Sequence, residues 1–173
     1  MLFRSEGTHG LVPCGTTGES PTLSHDEHHR VVELTIEAAK KRVPVIAGTG
    51  SNSTDEAIDL TRHAKQAGAS AALLVTPYYN KPTPAGLLAH FRAINDAVDV
   101  PQIIYNVPGR TGQNVSSDTQ IAIAEACPRV IATKEASANL EQMCEIIRHA
   151  PSNFALLAGD DVLTLPAIAC GAR

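Results

Sequence analysis

Short apolar runs alternate along this chain with longer stretches of helical spacing. The step is roughly thirty residues, the size of a βαβ unit. The apolar runs are 10–14, 43–47, 71–75, 102–105, 130–133 and 154–158, and each reads as a strand. Ser24-His25-Asp26-Glu27 and Ser53-Thr54-Asp55-Glu56 read as capping boxes that open helices. The first leads to Val31, Leu34 and Ala38 on one face, the second to Ala57, Leu60 and Ala64, with Gly68 at the helix exit. Leu87, Phe91 and Ile94 mark a third helix. Ile121, Ala124 and the Ile123–Cys127 pair mark a fourth, and Leu140, Cys144 and Ile147 a fifth. A sixth begins near Asp161. Strands this continuous in apolar character are covered on both faces, as in a parallel α/β sheet.

Two architectures fit the alternation. A doubly wound sheet is usually announced by a glycine-rich phosphate loop after its first strand, and neither GxGxxG nor GxxxxGK[ST] occurs here. A (β/α) barrel instead gathers polar chemistry at the C-terminal ends of its strands. The strand ends here read Gly15-Thr16-Thr17-Gly18-Glu19, Gly48-Thr49-Gly50, Thr76-Pro77-Tyr78-Tyr79, Tyr105-Asn106, Lys134-Glu135 and Gly159-Asp160-Asp161. Singly, such ends are turns or tyrosines with a wet hydroxyl. Their recurrence favours the barrel, with a shared active-site mouth.

Lys134 stands out among them. An ammonium at the end of a buried strand is costly to desolvate, and that cost lowers the lysine pKa and frees a nucleophilic amine. Taken alone, the lysine is better read as a side chain that snorkels or pairs with Glu135, and the other reactive strand ends remove that advantage.

Composition narrows the function class. Of 173 residues, 43% are hydrophobic and 18% charged, the balance of a globular domain. A net charge of −4 with no basic run argues against nucleic acid as a partner. No apolar stretch approaches the ~20 residues of a membrane span, and no signal-peptide pattern is present, so the expected location is cytoplasmic. Cys14, Cys127, Cys144 and Cys170 lack CxxC spacing and read as reduced, mostly buried thiols. His25, His28 and His29 suggest a metal by spacing. Their acidic neighbours and the capping box favour an exposed first helical turn, and no metal is expected. His63, His90 and His149 read as surface residues.

Four motifs carry a resemblance: Gly15-Thr16-Thr17-Gly18-Glu19-Ser20, Val75-Thr76-Pro77-Tyr78-Tyr79-Asn80-Lys81-Pro82, Tyr105-Asn106-Val107-Pro108-Gly109-Arg110-Thr111-Gly112 and Lys134-Glu135-Ala136. In this order and spacing the chain resembles the pyruvate-dependent class I aldolase family, most closely its dihydrodipicolinate synthase branch, from about Glu6 to Ala172. The resemblance implies an α/β fold, a (β/α)8 TIM barrel. It also implies a lyase that condenses pyruvate with L-aspartate 4-semialdehyde in lysine and diaminopimelate biosynthesis. No cofactor is implied beyond the covalent lysine–pyruvate imine.

The same resemblance implies the site residues. Lys134 forms the Schiff base, and Tyr105, Thr16 and Tyr79 form a hydroxyl relay. Tyr79 enters the active site of a neighbouring subunit in a homotetramer built from tight dimers. Thr17, Arg110 and Gly159 bind substrate, with Arg110 gripping the semialdehyde carboxylate. Ser20, His25, His28, Asn52, Glu56 and Tyr78 fall where feedback L-lysine binds. Thr16-Thr17 together with Arg110 favours this branch over sialic acid lyases; another pyruvate aldolase of the family, a sialic acid or keto-sugar-acid lyase, is the alternative reading. On the resemblance, residues 1–5 read as a non-native leader. Residues 6–173 read as a partial barrel domain with about strands two to seven, lacking strand one, strand eight and the C-terminal helices. The expectation for such a chain is a barrel open at one gap, and a catalytically incompetent fragment is its alternative reading.

Overall fold

The computed structural model describes residues 7–173, so the leader assigned to residues 1–5 lies outside the described residues. Five parallel strands form one sheet: β1 (Ile46–Gly48), β2 (Ala71–Val75), β3 (Gln102–Asn106), β4 (Val130–Glu135) and β5 (Ala155–Ala158). Their order in space is their order in sequence, β1-β2-β3-β4-β5. A doubly wound sheet reverses direction at a switch point, whereas a barrel winds one way throughout. The sheet is therefore that of a (β/α) barrel, present in part.

Five of the six expected strands form. The 10–14 segment does not: it contributes a single bridge, Leu11 to Val45, because Pro13 has no N–H to extend a ladder. The β1 strand also lies farther along than expected, at Ile46–Gly48, after Pro44.

Helices α1 (His25–Ala39), α2 (Thr54–Ala67), α3 (Pro84–Ala97), α4 (Ser117–Ala126), α5 (Leu140–His149) and α6 (Thr164–Cys170) precede, connect or follow the strands. Ser24 and Glu27 form a reciprocal capping box at α1. At α2 only half of the expected box forms. Ser53 accepts from the Glu56 N–H, but the Glu56 carboxylate turns away to Ser51 and His25. Gly68 closes α2 in the left-handed conformation, at φ 99°.

The main core packs α2, α3 and α4 against the sheet through Ala57, Leu74, Leu87, Phe91, Ile94, Ile104 and Ile123. Phe91 is fully buried, a burial worth on the order of 2–3 kcal/mol. Predicted faces hold for α2 and α3 but not for α1. There Val31 and Leu34 are exposed, and His28, Val32 and Ala39 are buried. Both stripes have helical spacing, and packing against Cys14, Ala47 and Ala64 selects the one led by Val32. On α5 the buried face is Gln142, Met143 and Ile146.

Three histidines depart from expectation. His28 is buried, with Nε2 2.8 Å from the Gly48 carbonyl, rather than in an exposed turn. His90 is buried rather than on the surface. Its Nδ1 lies 2.9 Å from Thr54 Oγ1, and burial pushes its pKa down to about 4. His63 is half-buried and stacks on His29 with ring centroids 3.8 Å apart. Cys14 and Cys127 are buried thiols, and Cys144 and Cys170 are half-buried. Among the described residues no helix is long and apolar enough to cross a membrane. Among them, too, no three His, Cys, Asp or Glu side chains gather as a metal site.

Candidate active site

The chemistry collects at the C-terminal ends of the strands. Tyr105 on β3 and Lys134 on β4 are register partners, so their side chains leave the same face of the sheet. Lys134 Nζ lies 4.3 Å above the centre of the Tyr105 ring. Lys134 is half-buried, and desolvation lowers its pKa; the charge of Asp160 works in the opposite direction. Tyr105 is buried, and desolvation raises its pKa against the opposing effects of Arg110 and a hydrogen bond with Thr16. Thr16, Tyr105 and Lys134 thus form a line at the strand ends, with the Lys134 amine over the Tyr105 ring.

Backbone fit sets this line in place. A Cβ on Gly48 would overlap the Cys14 carbonyl, and one on Gly50 would overlap the backbone of Val75. Only glycine lets the loop that carries Thr16 settle against β1 and lets the chain after β1 pass β2. Gly159, just after β5, donates its N–H to the Glu135 carbonyl at 2.8 Å. A side chain there would strike Ala136.

A cavity of about 360 Å³ opens beside this line. Thr16, Tyr105 and Arg110 line one part of it, and Ser20, His25, His28, Glu56 and Tyr78 another. Glu56 is held by Ser51 and by His25, whose Nε2 lies 2.7 Å from it. The Ser51 hydrogen bond, and then that of His25, lower its pKa against the cost of burial. Asn52 stands outside the lining and accepts from Asn80 Nδ2 at 3.0 Å through its backbone carbonyl. Thr17 is exposed. Tyr79 is 90% exposed, with φ 69°, and joins neither Thr16 nor Tyr105 within this chain.

Several residues were not assigned from sequence. Ser51 is buried against Glu56, and nothing in its local pattern signals that role. Asp160 is the carboxylate whose charge bears on both Lys134 and Tyr105; its place in the Gly159-Asp160-Asp161 strand end was the available signal. Glu135 does not pair with Lys134. It points to the opposite side of the sheet and accepts from Asn106, Gln120 and Gln142.

Known proteins share this sequence and this fold. The dihydrodipicolinate synthetase family matches residues 4–173. The 4-hydroxy-tetrahydrodipicolinate synthase of Geotalea uraniireducens is 57% identical over 167 residues, 96% of this chain and 57% of that protein. The crystal structure of the chloride-inhibited dihydrodipicolinate synthase from Acinetobacter baumannii, complexed with pyruvate, has a TM-score of 0.95 at 48% identity. It matches 98% of this chain and 58% of that one. The enzyme from Cyanidioschyzon merolae, with lysine bound, has a TM-score of 0.93 at 47% identity, over 97% of this chain and 57% of that one. The chain spans a little over half the length of these relatives. With Lys134, Tyr105 and Thr16 aligned at the strand ends of a one-way parallel sheet, the chain belongs to the dihydrodipicolinate synthetase family.

Proposed function

We propose that the protein is a lyase that condenses pyruvate with L-aspartate 4-semialdehyde to 4-hydroxy-tetrahydrodipicolinate, through an imine on Lys134. The observation that carries this reading is the half-buried amine of Lys134 lying 4.3 Å over the Tyr105 ring, at a strand end where burial lowers its pKa. The neutral amine adds to the pyruvate ketone, and loss of water leaves an iminium. That cation is an electron sink, so the pyruvate methyl group gives up a proton and becomes an enamine carbon. Tyr105 and Thr16 move the proton without placing a second charge beside the iminium. The enamine carbon then bonds to the aldehyde carbon of the semialdehyde; the aldehyde oxygen takes up a proton to become the hydroxyl, and the iminium on Lys134 is restored. Attack on the imine carbon by the substrate's amine closes the ring and returns Lys134 as a free amine. The lysine itself supplies the electron sink, so the scheme calls on no further cofactor.

Thr17 and the N–H groups of its loop take the pyruvate carboxylate, and Gly159 leaves room for substrate beside β4. Arg110 takes the semialdehyde carboxylate as a charged fork. Its place on the cavity wall, close enough to influence Tyr105, supports this role. Arg110→Ala is expected to weaken condensation far more than pyruvate imine formation. A lost charged hydrogen bond is worth about 1.5–3 kcal/mol, roughly ten- to a hundredfold. Turnover measured beside borohydride trapping separates the two, and equal damage to both steps would assign Arg110 a structural role.

Tyr79 completes the relay of a neighbouring subunit in a homo-oligomer of tight dimers, a reading its exposure supports. Ser20, His25, His28, Asn52, Glu56 and Tyr78 bind L-lysine as a feedback inhibitor. The Glu56 carboxylate, already favoured in its charged form, receives the ligand's ammonium. Calorimetry should show that Glu56→Ala abolishes L-lysine binding; retained affinity would remove the site from consideration.

A further inference from the structure

The end of β4 carries different chemistry on its two faces. Lys134 and Tyr105 meet on one side of the sheet. The next register pair, Asn106 and Glu135, projects to the other side, among α4 and α5, because strand side chains alternate. Glu135 is fully buried. Its Oε1 accepts from Asn106 Nδ2 and from the Ser137 N–H, each at 2.9 Å. Its Oε2 accepts from Gln120 Nε2 at 2.7 Å and from Asn106 Nδ2 and Gln142 Nε2, each at 3.0 Å. Among the described residues no lysine, arginine or histidine forms an ion pair with it.

The amides around Glu135 are fixed in orientation by a second set of bonds. Asn106 Oδ1 accepts from the Val115 N–H at 3.1 Å. Gln120 and Gln142 donate to the Val115 carbonyl at 2.9 and 3.1 Å. Gln120 Oε1 accepts from Thr133 Oγ1 at 2.7 Å. Glu135 therefore sits in a closed ring of N–H donors that only a carboxylate can satisfy at every contact. A buried anion with no cation beside it is a costly way to stabilise a fold, but a fully satisfied buried network defines geometry sharply.

We propose that Glu135 is a positioning residue for Lys134: by tying the ends of β3 and β4 to α4 and α5, it holds the Lys134 amine over Tyr105 and out of water. The inference rests on the reading of Lys134 as the imine-forming lysine. It works through the backbone rather than through charge, since Asp160 is the carboxylate whose charge acts on Lys134.

Glu135→Gln in the full chain keeps the side chain's shape but sets an NH2 against a ring of donors. Two readouts follow Lys134 itself. One is the pH profile of its acetylation by trace acetic anhydride, which needs no substrate. The other is the rate at which borohydride traps the pyruvate imine. The acetylation midpoint should move up toward that of exposed lysines as water reaches the loosened strand end. Trapping should slow about tenfold or more. The reversed pair, Asn106→Asp with Glu135→Gln, restores a carboxylate–amide contact between the same strands and should recover part of both. Gln142→Leu withdraws a single donor; it should move both readouts the same way, more weakly, and serves if Glu135→Gln does not fold. A folded Glu135→Gln protein with the parent's acetylation profile and trapping rate overturns the proposal, whatever its melting temperature. If the parent traps no pyruvate but its Lys134 profile still responds to Glu135→Gln, the positioning role stands and the pyruvate reading falls.

Discussion

Replacing Lys134 with alanine is expected to abolish trapping of pyruvate by borohydride, a loss of roughly a thousandfold or more, because no other group in the line can form the imine. Mass spectrometry after trapping in the parent should place the adduct on the peptide containing Lys134. An adduct on another lysine in folded protein would break the assignment. The pH dependence has a definite sign. Burial lowers the Lys134 pKa, and only the neutral amine attacks, so trapping should accelerate as pH rises and level off before the ordinary lysine range is reached. Stability follows the same group. Below the lowered native pKa both folded and unfolded chains bind the proton, and the folded chain carries the full cost of the buried charge. Between that pKa and the ordinary lysine value the unfolded chain binds more protons, so stability rises with pH across the window. Lys134→Ala should flatten that rise in melting temperature.

Tyr105→Phe is the second large effect expected. The phenyl ring still lies beneath the Lys134 amine, so the imine should still form and be trapped. The hydroxyl proposed to carry the methyl proton is lost. Positioned proton transfer of this kind is worth about a hundredfold to ten-thousandfold. Exchange of the pyruvate methyl hydrogens with deuterated water, followed by NMR, isolates the step. Exchange at the parent's rate in Tyr105→Phe would remove the hydroxyl from the relay.

The helix caps and strand cores were legible because they depend on near neighbours. Ser24 with Glu27, and Gly68 after α2, act within one helical turn, and the structure has each as a cap. The apolar runs at 71–75 and 102–105 became β2 and β3 within a residue of the expected ends. The barrel reading was accessible for a related reason. Parallel strands separated by helices must place their C-terminal ends on one rim, so polar residues recurring at those ends meet whatever the details of packing. The alignment of Thr16, Tyr105 and Lys134 is the result.

Other choices depended on residues far apart in the chain. The α1 helix has apolar residues on two adjacent stripes, and its partners Cys14, Ala47 and Ala64 decide that Val32 goes inward while Val31 and Leu34 remain outside. His28 and His90 look like surface histidines in a helical pattern, yet each meets a partner supplied by another element, Gly48 and Thr54. Glu56 matches a capping-box position, and Ser51 and His25 draw its carboxylate into the cavity instead.

Lys134 and Glu135 show the division within a single dipeptide. The sequence by itself determined that a lysine would end a buried strand and face the rim, because strand length and burial follow from a local apolar run. Only the tertiary structure decided that Glu135, one residue on, is no ion-pair partner of that lysine. Alternation along the strand sends it to the opposite face. There Asn106, Gln120 and Gln142, from one strand and two helices, converge on its carboxylate, a convergence that chain packing alone creates.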